Sequence, residues 1–161
     1  MKRRCRILCA LSFVAAVAVG LHAQTLQVIN ADGHSTTVTA AQIASLPHVT
    51  VEVSDHDTRA KFEGVPLSAV LSLTGIPLGD TLRGPRLTEV LLVSASDGYQ
   101  VAYALAEIEP AFAVREIILA DERDGKPLGP KEGPYRIVAP GDKRPARWIR
   151  QVTELKVRAV K

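Results

Sequence analysis

Cysteine is confined to Cys5 and Cys9, both within the first ten residues of a 161-residue chain. Past that point nothing can form a disulfide or present a thiolate to a metal. Aromatic residues are scarce, at 4% with a single tryptophan, so the stacking platform that nucleic-acid binding wants is missing and no nucleic-acid partner is expected. Glycine loops of the G-x-G-x-x-G or Walker type are absent, and so is the G-x-S-x-G elbow of serine hydrolases. Ser54, Asp55 and His56 carry the letters of a hydrolase triad, but adjacent residues cannot adopt its relay geometry. His34, His48 and the run Asp55-His56-Asp57 have no second cluster at metal-ligand spacing, so the run reads as a polar turn. The residues identify no metal site and no catalytic side chain.

Long apolar runs are limited to one, residues 7–21, which is shorter than the roughly 20 residues a bilayer-spanning helix needs. Lys2, Arg3, Arg4 and Arg6 precede it and the small Ala23 follows, the pattern of a secretory signal peptide cut before Gln24. The expected organisation is a signal peptide over 1–23 and one domain over 24–161, periplasmic or secreted, with no membrane attachment after cleavage. Four of the 20 basic residues and none of the 17 acidic ones lie in the leader, so the formal charge falls from +3 to about −1 on its removal. The remaining chain is long enough to bury about two thirds of its unfolded surface in one core.

Leu26 and Val28 mark a strand, Asp32-Gly33 a tight turn, and residues 36–38 the return strand. Thr39 and Gln42 form a capping box for a helix that carries Ile43 and Leu46 inward and stops at Pro47. Val49, Val51 and Val53 alternate with polar residues, as in a half-buried strand. Residues 62–67 lead into a second helix, with Pro66 in its first turn, Leu67, Val70 and Leu71 inward and Gly75 past its end. Residues 79–86 read as loop. Residues 90–95 and 99–104 make a hairpin about Asp97-Gly98, with Tyr99, Val101 and Tyr103 on one face, and a short helical turn follows before Pro110. Strands are expected over 117–120 and 135–139, with a turn at Asp124-Gly125. Thr153, Leu155, Val157 and Ala159 alternate with charge in a final strand. Short helices among many strands, without sustained βαβ alternation, describe an α+β, mostly β domain.

Residues 133–150 concentrate the charge that has chemistry in it: Arg136, Lys143, Arg144, Arg147 and Arg150 surround Trp148. Such a cluster is either a solvated basic face or a pocket for an anion. A guanidinium fork grips phosphate or carboxylate and an indole walls off a planar ring, so the pocket reading names a phosphorylated heterocycle.

Five segments in order, F-E-G-V-P-L-S-A-V-L, S-A-S-D-G-Y, L-A-D-E-R-D-G-K-P-L, E-G-P-Y-R-I-V-A-P-G and A-R-W-I-R-Q-V-T-E-L-K-V, resemble the oxidoreductase molybdopterin-binding domain across residues 49–157. This is the fold of sulfite oxidase, plant nitrate reductase and the periplasmic methionine sulfoxide reductase catalytic subunit. The resemblance implies a sulfite-oxidase-like fold and a molybdopterin cofactor. It implies that Arg136 and Arg147 hold the cofactor's phosphate or pterin edge beside Trp148, with Lys143 and Arg144, and Gly141 before them, in the adjoining turn. It also implies a metal-ligating cysteine near Val53, Ser54 and Asp55 and a histidine at Glu132; this chain has neither. The family's N-terminal Arg/His cofactor segment has no counterpart.

Two functions are consistent with these residues. One is an exported molybdopterin-binding oxidoreductase-like domain or accessory subunit, serving a periplasmic redox partner and lacking sulfite-oxidase-type catalysis of its own for want of a metal thiolate. The other is a non-enzymatic periplasmic module that binds an anionic small molecule, or a partner protein, through the basic pocket. Arg136, Arg147 and Trp148 are expected to share one cavity in either case.

Overall fold

A computed structural model describes residues 24–55 and 58–160. The expected signal peptide, and His56 and Asp57 of the polar turn, lie outside the described residues. Among the described residues, ten strands form two five-stranded sheets around one hydrophobic core.

The first sheet has the order β2-β1-β10-β5-β6. The hairpin of β1 (Thr25–Ile29) and β2 (Ser35–Thr39) and that of β5 (Glu89–Ala95) and β6 (Gln100–Ala104) form where the turn residues place them. β10 (Val152–Ala159) lies between the hairpins, parallel to β1 and antiparallel to β5. A register shift between Val152 and Glu154 corrects the expected alternation: Val152, Leu155 and Val157 are buried, and Thr153 is exposed. Tyr99 likewise precedes the strand and is exposed, and only Val101 and Tyr103 turn inward.

The second sheet runs β3 (Val49–Asp55), β4 (Thr58–Pro66), β7 (Ile118–Arg123), β8 (Lys126–Pro127), and β9 (Arg136–Val138) also pairs with β7. β4 is a strand where the sequence pattern predicts a helix lead-in. Ala60 and Phe62 alternate inward with Arg59 and Lys61 outward, and Gly64 and Pro66 mask that period in the sequence. Gly64 is forced by the neighbouring backbone: a Cβ there would stand 2.2 Å from the Leu119 carbonyl oxygen.

The helices are short. α1 (Ala40–Ala44) starts at the Thr39–Gln42 capping box and buries Ile43. Pro66 is the N-cap of α2 (Leu67–Leu73), one position earlier than expected, and the Leu67 amide donates to the Ile117 carbonyl. α2 ends in a Schellman motif, with Gly75 at φ +75°, its amide donating to Ser72 and the Ile76 amide to Leu71. Two 3₁₀ turns, Gly79–Thr81 and Gly84–Thr88, occupy the expected loop, and α3 (Leu105–Ile108) follows β6. Among the described residues no helix is long and apolar enough to cross a membrane.

The sheets are stitched together by the chain on either side of β9. The Ile137 amide donates to Ile149 at 2.8 Å, Val152 to Tyr135 at 2.9 Å and Gln151 to Glu132 at 2.9 Å. Gln151 adopts φ +52° at this junction, a conformation that a non-glycine residue keeps only when its surroundings hold it there. Its Nε2 donates to Pro130 and its Oε1 accepts from Ser96, which anchors it on both sides.

Candidate functional site

The join of the two sheets opens into a cleft of about 1100 Å³. The β5–β6 turn contributes Asp97 and Tyr99, the second sheet Ser54, Thr58 and Arg123, β9 Arg136, and the connection to β10 Lys143, Arg144, Trp148 and Arg150. With Lys131 and Glu132, the described lining holds six cations against two carboxylates. The surplus sits in exposed side chains, because Lys131, Lys143, Arg144 and Arg150 are exposed whereas Arg136 is 3% exposed.

Arg136 is the floor. β9 is buried on both faces, so a guanidinium there must bring its own compensation. Glu132 supplies part of it, accepting from Arg136 Nη1 at 2.5 Å and from Arg123 Nη1 at 3.3 Å. Phe62 supplies more: its ring centroid lies 4.7 Å from the Arg136 guanidinium carbon and 5.4 Å from that of Arg123. Glu132 therefore has a structural office in this chain, accepting from two guanidinium groups that both lie against the Phe62 ring. Trp148 forms wall, not floor. It is 4% exposed, and its indole Nε1 donates to the Ala139 carbonyl at 3.1 Å.

Arg147, expected in the same cavity, does not line it. It lines a second cleft of about 540 Å³ with Phe112, Val114, Gly141 and Asp142. Its guanidinium is bidentate on Asp142, with Nε–Oδ2 at 3.1 Å and Nη2–Oδ1 at 2.5 Å, and Nη1 donates to Glu107 at 2.9 Å. These bonds, the Asp142 pair foremost, hold its pKa above the ordinary arginine value against the opposing effect of burial. The Tyr103 ring lies 4.6 Å beneath it, and the Tyr103 hydroxyl donates to the Arg147 backbone carbonyl. Of the residues singled out from sequence, the structure thus brings Arg136, Lys143, Arg144 and Trp148 to one cleft, and Gly141 and Arg147 to the other. Arg123 and Tyr99 join the first cleft unannounced, since β7 and the β5–β6 turn are distant from it in sequence, and Lys131 joins it from just before the 133–150 segment.

The arrangement suits an anion with a planar portion. Charged oxygens would meet Lys143, Arg144 and Arg150, and Tyr99, 53% exposed, offers a ring face beside them. The phosphate-bearing end of a molybdopterin fits that donor set. Its metal end does not: Ser54 lines the cleft in the stretch where the family's cysteine would fall, and no cysteine occurs anywhere in residues 24–161. A serine hydroxyl is a harder and far less acidic ligand than a thiol. Among the described residues no group of three His, Cys, Asp or Glu side chains could hold a metal ion.

No curated protein matches the chain. Among solved structures, the crystal structure of the sulfane dehydrogenase SoxCD from Paracoccus pantotrophus superimposes with a TM-score of 0.64 at 16% identity, covering 83% of this chain and 38% of that one. The likeness is one of fold, and the present chain spans well under half of the longer protein. The family profile of the oxidoreductase molybdopterin binding domain matches residues 17–161, the whole of the described structure included. With the sulfite-oxidase-like α+β fold and this basic cleft on the same chain, that match establishes that the chain belongs to the oxidoreductase molybdopterin-binding domain family.

Proposed function

We propose that the protein is an exported binding module of this family, which holds a phosphorylated, pterin-type anion in the larger cleft and has no sulfite-oxidase-type turnover of its own. One observation carries the reading: the cleft has six cations against two carboxylates, and no thiolate stands beside them. Arg144, Lys143 and Arg150 would take the phosphate, Arg136 would polarise its inner edge while shared with Glu132, and Tyr99 and Trp148 would flank the ring. Bound molybdopterin supplies a sulfur-held molybdenum for oxo transfer in this family; this chain's part is to bind and orient the anion. A periplasmic redox protein would then be the partner that completes the chemistry. The exposure of four of the cations favours a second reading, in which the same surface takes another phosphorylated anion or an acidic partner protein.

The test is calorimetric titration of the exported protein with inorganic pyrophosphate, alongside pterin analysis of protein from its native host and assays with sulfite and a sulfoxide. Pyrophosphate should bind, and Arg144→Ala and Arg136→Ala should each weaken it about tenfold, as loss of one charge-assisted bond does. Turnover that vanishes in Arg136→Ala would overturn the non-catalytic part. Absence of both pterin and pyrophosphate affinity would overturn the whole.

A further inference from the structure

The larger cleft and the smaller one are two sides of a single turn, residues 139–148. Lys143, Arg144 and Trp148 line the first side, and Asp142 and Arg147 the second. The turn has little regular structure to stiffen it, with only the 3₁₀ segment Pro145–Arg147. It is instead tied down from outside. Tyr99 and Tyr103 donate to the carbonyls of Ala146 and Arg147, and Glu107 of α3 takes Arg147 Nη1. Within the turn, Arg147 grips Asp142 bidentately, so the ends of the segment bearing Lys143 and Arg144 are fastened together.

We infer that Arg147 is a positioning residue: by clamping Asp142 and leaning on Glu107 and Tyr103, it fixes where Lys143 and Arg144 stand in the anion cleft, and it does not touch the anion itself. This rests on the proposed use of that cleft. The geometry supports it twice over, because the guanidinium lies on the far side of the turn and every one of its nitrogens is already committed to a carboxylate.

Asp142 makes the inference testable, since two accounts of it differ in sign. If Asp142 were only a negative charge near an anion site, Asp142→Asn would tighten pyrophosphate binding by removing repulsion. If it is half of the clamp, the same change frees the turn and raises the pyrophosphate Kd about tenfold, with Arg147→Lys and the double variant no worse than either single, as for residues acting as one unit. Arg147→Lys keeps the charge but not the fork, a loss that either role would feel, so the decision between contact and clamp falls on Asp142→Asn and the double variant. The lone Trp148, held within the turn by its bond to Ala139, gives a second readout. Its fluorescence should become about twofold more quenchable by acrylamide in Asp142→Asn as the turn opens locally. A Kd that stays or falls in Asp142→Asn, or quenching that does not change, overturns the clamp. Should the wild type bind no pyrophosphate, the cleft's proposed function fails, and the quenching measurement still decides for or against the clamp.

Discussion

The phenol of Tyr103 lies buried under the Arg147 guanidinium and donates to the Arg147 carbonyl, so its ionisation would cost both burial and bond. Burial raises its pKa well above the ordinary value, outweighing the opposing pull of Arg147, and burial raises that of Tyr135 as well. The native state thus keeps protons that the unfolded chain releases near pH 10, and stability contributed by these phenols is complete below that pH and lost as pH rises above it. Urea denaturation at pH 9, 10 and 11 should show this fall, and Tyr103→Phe should flatten most of it while costing about 1 kcal/mol at neutral pH for the lost hydrogen bond. A variant as steep as wild type would locate the alkaline loss elsewhere. Tyr103 also shows what single residues conceal in the sequence. The cluster of cations around Trp148 is legible as a group, but its division between two clefts is not, because Asp142 stands five residues before Arg147 and captures it. Arg123 and Tyr99 are invisible for a different reason: they reach the site only through strand pairing.

Between elements, the tightest constraint is the approach of β4 to β7 at Gly64, where the register also shifts. A methyl group at this position would collide with the Leu119 carbonyl and the Ala120 Cα at 2.2 and 2.4 Å, and both are backbone atoms that can yield only if a strand moves. Gly64→Ala should therefore destabilise by about 3 kcal/mol or more, or prevent folding, at the upper end of what overpacking costs. Gly129→Ala, which meets nothing within 4 Å, should stay within about 1 kcal/mol of wild type in the same urea titration. Equal losses in the two would remove the steric argument. Hairpins, the capping box and the Gly75 stop are readable because each is written in adjacent residues. β4 is not, since the glycine that admits β7 is also the residue that interrupts its alternation; the bulge in β10 escapes because Thr153, Leu155, Val157 and Ala159 offer an unbroken alternation that leaves Val152 out of phase.

For the molecule as a whole, β10 decides whether the first sheet exists. It is the neighbour of both hairpins, and it buries Val152, Leu155 and Val157. At roughly 1.5–3 kcal/mol for each large apolar side chain, its loss removes about as much as a domain of this size has in total stability. A chain stopped after Gln151 should show no cooperative urea transition and no protected amides in β1 or β5; a protected β1–β2 hairpin in that chain would count against it. The position of β10 also sets a timetable. While residues 152–159 have yet to be made, β1–β2 and β5–β6 are two separate ribbons with no common neighbour, and only β10 can join them. Until then the first sheet is incomplete, and a chain exported in that state, as proposed above, would acquire its anion cleft only afterwards.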